Sequence, residues 1–220
     1  MKLSIYRVIL LTIATLVPVT AQAYESGDWL WRFNMMMVQP QFGGDEVNAP
    51  GAPSGQLQLG EEIMPSLQVD YMLADRWALG VGLPLQELNQ TVWLGSDSGS
   101  VKVAKAETLP VAVTLSYYLP KWKNLRSYLI GGWQYYHVVT DARRQDAFTG
   151  LGNIEMEDGQ GFGGGIGFEW DRDGDWSWTA AAVKYTTKQD VKITYNGAPP
   201  EDIEAEPAPI VLTIGLTRRF

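Results

Sequence analysis

Apolar and polar positions alternate, every second residue, in several short runs of the chain. In the first run the large apolar side chains share one parity, whereas Arg32 and Asn34 lie on the other. Such alternation predicts β-strands with one apolar face and one polar face. The eight runs cover residues 29–39, 67–71, 77–85, 109–117, 126–139, 161–170, 176–185 and 210–220.

The connections between these predicted strands alternate in length. Those after the second, fourth and sixth strands are short, at residues 73–76, 120–125 and 171–175. The others are long and rich in Gly, Pro and acidic residues, at residues 43–60, 89–107, 140–159 and 189–207. Short periplasmic turns and long external loops are typical of transmembrane barrels. We therefore predict an all-β fold, an eight-stranded antiparallel transmembrane β-barrel with both chain ends in the periplasm.

Aromatic residues cluster near both ends of the predicted strands. Two belts are expected at the two membrane interfaces, because these rings have an apolar body and a polar edge. Near the short turns stand Trp29, Trp31, Tyr71, Trp77, Tyr117, Trp122, Trp170, Trp176 and Phe220. Near the long connections stand Tyr135, Tyr136, Tyr185 and Tyr195.

The first 23 residues have the pattern of a signal peptide. Lys2 and Arg7 precede an apolar run, and Ala21-Gln22-Ala23 forms a small-x-small cleavage site. We predict a cleaved segment 1–23 and a mature domain 24–220 that begins at Tyr24. The run is shorter than the roughly 20 residues of a membrane-spanning helix, and no such run follows it. The alternative is an uncleaved N-terminal anchor.

Composition excludes several function classes. Removal of Lys2 and Arg7 lowers the formal charge from −8 to about −10, which argues against a nucleic-acid partner. The chain contains no cysteine, so disulfides and thiol chemistry are excluded. No residue pattern calls for a cofactor. These features agree with an exported outer-membrane protein of a Gram-negative bacterium.

Several segments resemble the OmpW family of outer-membrane barrels, which includes hydrocarbon importers of the AlkL type. They are GDWLWRF with Pro40, LQVDYMLADRWALGV, ETLPVAVTLSYYLP, SYLIGGWQYY and the closing Arg-Phe. The resemblance implies a narrow conduit for small hydrophobic molecules, apolar towards the outside, with lateral exit into the membrane. It also implies contact with lipopolysaccharide and membrane lipid, and assembly through the terminal Phe220. Arg218 stands where related barrels carry an aromatic; it is expected to face lipid and to snorkel.

The alternation along each strand predicts which residues face the lumen. Arg32, Asp70 and Glu169 are all inward, and because a buried charge must be paired, they are expected to form a polar plug. The candidates for a ligand-lining role are Met36, Val38, Gly80, Gly82, Ile130 and Val183. The inward glycines either give room to a ligand or give room to large neighbours such as Arg32 and Tyr185.

The sequence gives weaker support for three other chemical roles. His137 is the only histidine, but no familiar nucleophile motif accompanies it, so we do not expect an enzyme. Asp171 to Asp175 resembles a fragment of a calcium loop without its terminal Glu and is expected to be a tight turn. The acidic stretch 201–206 is expected to be a solvated loop that could bind divalent cations. The alternative function is a structural or adhesive barrel of the OmpX or OmpA type with a filled lumen.

Overall fold

The structure, a computed structural model, describes residues 24–41, 56–96, 99–144, 151–172, 175–195, 201–206 and 208–220. The predicted signal peptide, residues 1–23, lies outside this part of the chain. The described part of the chain contains no helix long and apolar enough to cross a membrane. The strands are β1 (Trp29–Gln39), β2 (Gln56–Leu59), β3 (Glu62–Ala74), β4 (Trp77–Pro84), β5 (Leu88–Ser96), β6 (Gly99–Tyr118), β7 (Leu125–Arg144), β8 (Leu151–Met156), β9 (Gly159–Asp171), β10 (Trp176–Tyr195), β11 (Glu201–Ala205) and β12 (Ile210–Arg219).

Eight of these strands close into an antiparallel barrel, which confirms the predicted fold class. The order around the barrel is β1, β3, β4, β6, β7, β9, β10 and β12. The last strand returns to the first over a continuous register that runs from Leu30 opposite Arg219 to Gln39 opposite Ile210. Below that register, the Phe220 N–H donates to the Trp29 carbonyl (2.9 Å). Closure leaves no free sheet edge in this ladder.

The short turns lie at one end of the barrel and the long connections at the other. Strand β3 ends at Ala74 and β4 begins at Trp77, and β6 and β7 are joined by a similarly short segment. The third short turn includes residues 173 and 174, which lie outside the described part. We call these two ends the short-turn end and the long-connection end.

Much of the length of the long connections is paired β-strand. Strands β6, β7 and β10 are each 20 residues long, and β5 pairs with β6 from Leu88 opposite Thr108 to Ser96 opposite Gly99. Strands β2, β8 and β11 add to this extension. Continued pairing satisfies the backbone N–H and C=O groups that a loop would leave to water. The Gly-, Pro- and acid-rich composition concealed this strand tendency.

The outer surface of the barrel is an apolar belt. Phe33 is 48% exposed and Ile214 is 62% exposed, and both point away from the lumen. Cross-strand ring pairs mark the short-turn end: Trp29 and Tyr71 have centroids 4.9 Å apart, and Trp77 and Tyr117 have centroids 4.8 Å apart. Soluble domains rarely expose an apolar surface of this extent, whereas a barrel in lipid requires it.

The lumen is filled in two layers. Near the short-turn end the buried apolar side chains are Tyr24, Leu30, Met72, Ala78, Tyr118 and Tyr128. Towards the long-connection end they are Met36, Val38, Met64, Leu88, Val183, Tyr185 and Val211. Ile130 packs against both layers. The interior is therefore apolar above and below a level that contains charged groups.

Candidate functional site

A charged cluster crosses the lumen between these two layers. Arg32 on β1 is ion-paired with Asp70 on the neighbouring β3 (Nε to Oδ2, 2.7 Å). It is also paired with Glu169 on β9, across the lumen (Nη2 to Oε1, 2.9 Å). All three side chains are at most 2% exposed. The alternating parity of the three strands turns these groups inward, and we call the cluster of Arg32, Asp70 and Glu169 the plug.

Two tyrosines complete the hydrogen bonding of Arg32. Its Nη1 donates to the Tyr128 hydroxyl (2.6 Å), and its Nη2 donates to the Tyr118 hydroxyl. The guanidinium carbon also stands 4.9 Å from the centroid of the Tyr128 ring. Each guanidinium nitrogen thus has a polar partner, as a buried cation requires. Sequence reasoning did not single out either tyrosine, although both have inward parity.

Tyr24 closes the plug from the short-turn end. Gly27 has a φ of 101°, in the region that favours glycine, so the chain turns sharply just before β1. Tyr24 thereby enters the barrel, where its hydroxyl donates to Glu169 Oε2 (2.6 Å). The Arg126 guanidinium lies 3.8 Å from the centroid of the Tyr24 ring and also pairs with Glu169 (3.4 Å). Sequence reasoning assigned neither residue to the plug: Tyr24 precedes the first alternating run, and Arg126 stands at the very start of the fifth.

A cavity of about 730 Å³, counting its open mouth, lies on the other side of the plug. Arg32 and Tyr128 form part of its boundary. Four of the predicted lining residues contribute to its wall, and these are Met36, Gly82, Ile130 and Val183. Val38 is buried in the apolar layer next to Met36.

Gly80 does not line the cavity, contrary to expectation. A Cβ atom at Gly80 would collide with the Asp70 carboxylate and come within 2.7 Å of Thr114 Oγ1. The glycine therefore gives room to the plug rather than to a ligand. Gly163 and Gly167 similarly give room to the rings of Tyr185 and Tyr128. At Gly82, by contrast, the nearest atoms are those of Gln68, at 3.6 Å, an ordinary contact.

The wall beside the cavity is interrupted. Pairing between β4 and β6 ends at Gly82 opposite Ala112, and pairing with β6 resumes only at Leu88 opposite Thr108. The intervening Pro84 and Pro110 have no N–H to donate to a ladder. Leu67 and Leu83, which have outward parity, line the cavity together with these prolines. The cavity therefore reaches the unpaired stretch of the wall between Gly82 and Leu88.

A polar cluster lies beyond Tyr135 at the long-connection end. Asp158 Oδ2 accepts from the Tyr135 hydroxyl (2.5 Å), and Oδ1 accepts from the Val138 N–H (2.8 Å). His137 Nδ1 is 3.2 Å from Oδ2. These hydrogen bonds, that of Tyr135 first, lower the pKa of Asp158 to about 2. The described structure thus places His137 beside a carboxylate in an exposed position.

The other acidic candidates lie apart from the cavity. Asp171 pairs with Lys121, and Asp175 with Arg219 (3.5 Å), so both are ion-paired at the short-turn end. The side chains of residues 201–205 lie outside the described part. Among the described residues no group of three or more His, Cys, Asp or Glu side chains is placed to hold a metal ion.

Comparison with known proteins agrees with this architecture. The model of the OmpW family matches residues 25–220. The chain belongs to the OmpW family. Its outer-membrane location follows, and the short-turn end is the periplasmic end. A search of curated protein sequences gives no significant match.

Three solved structures resemble this OmpW-family barrel. The outer membrane protein OprG from Pseudomonas aeruginosa is 20% identical, with a TM-score of 0.78 over 91% of this chain and 99% of its own. AlkL, solved in lipid bilayers, is 19% identical, with a TM-score of 0.67 over 93% and 95%. OmpW from E. coli is 18% identical, with a TM-score of 0.58 over 90% and 100%. At these identities the likeness establishes the shared fold.

Proposed function

We propose that this protein is a passive outer-membrane channel for small hydrophobic molecules, which leave the lumen sideways into the membrane. One observation carries the proposal. A single cavity is lined by inward residues such as Met36 and Val183 and also by outward-parity Leu83, and its lower boundary includes the ion-paired plug. The presence of Leu83 in this lining supports a lateral opening of the cavity towards lipid.

The periplasmic route is blocked by polar side chains. An apolar solute moving straight down would have to pass Arg32, Asp70, Glu169 and the ring of Tyr24. Separating these ions without replacing their partners costs several kcal/mol, and a hydrocarbon offers no replacement. The plug therefore favours any route that avoids it.

The break in the wall lies at a depth where lipid can receive the solute. Pro110 is seven residues beyond Tyr117 of the periplasmic aromatic belt. With a rise of 3.3 Å per residue and a tilt near 40°, this is roughly 18 Å along the membrane normal. The apolar band is roughly 25 Å tall, so the break opens to the outer leaflet. The free energy of a hydrophobic solute falls when it moves from the lumen into lipid.

We also propose how the chain is exported and assembled. Residues 1–23 would be removed as a signal peptide before the barrel forms. Phe220 would serve as the signal for the barrel-assembly machinery. Its side chain is 61% exposed, and its ring packs beside that of Trp31 with the two centroids 6.1 Å apart. The guanidinium carbon of Arg218 lies 4.6 Å from the Phe220 ring centroid. Lipopolysaccharide and other membrane lipids would surround the apolar belt.

Closing the break tests the lateral route. The chain has no native cysteine, so the pair Leu83→Cys and Val111→Cys can be joined across the gap by oxidation or by a short bifunctional thiol reagent. Cells with this variant in the outer membrane are supplied with labelled octane. We expect rapid uptake in the reduced form and background uptake after cross-linking. Reduction of a disulfide should restore uptake.

In the matched control, a cysteine that replaces Leu79 is cross-linked to a cysteine that replaces either Val113 or Leu115. Leu79 and Leu115 are directly opposite each other below the break, on the same outer face. Cross-linking there should leave octane uptake unchanged. Unchanged uptake after cross-linking of 83 to 111 would rule out lateral exit. No uptake of any apolar solute by the native protein would reject the channel itself and favour a structural barrel.

A further inference from the structure

The wall of the cavity has two chemically different zones. Polar side chains lie near the plug, and the inward polar residues that line the cavity include Asn34, Ser66, Gln68, Thr114 and Thr179. Farther from the plug the lining is mainly apolar, with Met36, Ile130, Val183 and Val211, and its polar members are Gln134 and Thr213. A purely hydrocarbon solute matches only the second zone. The lining therefore indicates that the solute has a polar part as well as an apolar one.

Two buried polar atoms in this wall lack a partner. Asn34 Oδ1 and Thr114 Oγ1 form no hydrogen bond within the described part of the structure. Their residues are only 7% and 6% exposed. Two other polar side chains of the wall have partners: Gln68 donates to Asp70 (2.7 Å), and Gln134 accepts from Tyr136 (3.1 Å). Buried polar atoms are nearly always hydrogen-bonded, so these two require an explanation.

The charge balance of the plug argues against an anionic solute. Arg32 is the cation at the boundary of the cavity, and its nitrogens are already engaged by Asp70, Glu169 and two tyrosine hydroxyls. A carboxylate entering here would meet two existing carboxylates and would have to compete for the same cation. Burial of an unpaired charge is very unfavourable. An uncharged hydroxyl or carbonyl carries no such penalty.

We propose that the cavity selects amphipathic solutes that carry one uncharged hydrogen-bonding group. The apolar body lies against Met36, Ile130 and Val183, and the polar group interacts with Asn34 and Thr114. This inference rests on the proposed channel function and specifies its substrate class. A medium-chain alcohol fits the description, whereas the matching alkane and carboxylate each lack one required property.

Uptake of three solutes of equal chain length tests the inference. Cells that carry the native protein, and cells that lack it, are supplied with labelled octane, octanol or octanoate at neutral pH. We expect the protein-dependent initial rate to be highest for octanol and lowest for octanoate. The isosteric variants Asn34→Leu and Thr114→Val should each lower the octanol-to-octane ratio of rates by roughly threefold to tenfold. Thr114→Ser should keep the native ratio.

Thr217→Val is the matched control. Thr217 Oγ1 is also buried without a partner, but Thr217 does not line the cavity, so its loss should leave the ratio unchanged. Heat-modifiable migration on gels verifies that each variant is folded, and the native solute series stands even where a variant fails. Equal rates for octane and octanol, or faster uptake of octanoate, would overturn the selectivity while leaving the channel intact. Absence of any protein-dependent uptake would overturn both proposals.

Discussion

The ring of Tyr185 occupies the space that a side chain at Gly163 would need. A Cβ atom at Gly163 would lie 2.5 Å from Tyr185 Cδ1 and 2.7 Å from the Lys184 carbonyl oxygen. Tyr185 is directly opposite Gly163 across the β9–β10 pair and lines the cavity. The glycine thus determines where a large wall residue of the lumen stands.

Gly163→Ala should therefore destabilise the barrel by about 1–3 kcal/mol, because the added methyl overpacks a filled site. Unfolding by urea in detergent or lipid measures the change. Gly164→Ala is the control, since the nearest atom to its Cβ would be the Ile130 carbonyl oxygen at 3.7 Å. Equal stability of the two variants would show that the Tyr185 ring and the Lys184 carbonyl can both shift without cost.

Replacing Arg32, the cation at the centre of the plug, should destabilise the barrel more than Gly163→Ala does. Arg32→Met leaves Asp70 and the Arg32-facing oxygen of Glu169 buried without their main partner. We expect a loss of about 3–5 kcal/mol in the free energy of unfolding. Arg219→Met removes a 30% exposed arginine that pairs with Asp175, and should cost less than about 1 kcal/mol. Similar losses for both variants would contradict a structural role of the plug.

Tyr24 is expected to seal the periplasmic end against water and ions. Tyr24→Ala removes a ring that packs on Tyr118 at 5.2 Å and donates to Glu169. Planar-bilayer recordings should show a higher conductance for this variant than for the native barrel. Tyr24→Phe, which keeps the ring, should show an intermediate or native value. Tyr71→Ala, on the outer face, should not change the conductance, and native conductance in Tyr24→Ala would disprove the sealing role.

The cluster at the external rim predicts a measurable titration. The folded state holds the pKa of Asp158 at about 2, below its ordinary 3.8, so this contribution to stability is present above pH 4 and is lost as the pH falls towards 2. Tyr135→Phe removes the largest cause and should raise the pKa of Asp158. Carboxyl NMR titration in micelles follows it. Tyr136→Phe is the control, because that hydroxyl donates to Gln134 instead.

Strand parity predicted much of the lumen. Arg32, Asp70 and Glu169 face inward from strands that each show clear alternation, and ionic pairing then needs only the closed barrel. Parity cannot state what fills the space beside a glycine. Gly80 and Gly82 have the same parity on one strand, yet only the first faces a carboxylate that takes up its space.

Features outside regular alternation escaped prediction. Tyr24 reaches Glu169 only because the chain turns at Gly27, and that turn belongs to no strand. The outer halves of β6, β7 and β10 continue through segments whose composition is typical of loops. The break at Pro84 and Pro110 depends on two strands meeting in register, which sequence periodicity does not report.

The break between β4 and β6 also changes the mechanics of the barrel. A closed ladder resists widening, because at least one strand pair must give up its hydrogen bonds. Here the circumference is continuous at the level of Leu79 and Leu115 but interrupted at Pro84 and Pro110. The interruption is a window in the wall, bounded by the β4–β6 ladder on the periplasmic side and by the β5–β6 ladder on the external side. No ladder bonds cross this window, so the side chains at its edges can shift without breaking strand pairing, and the charged plug lies below it.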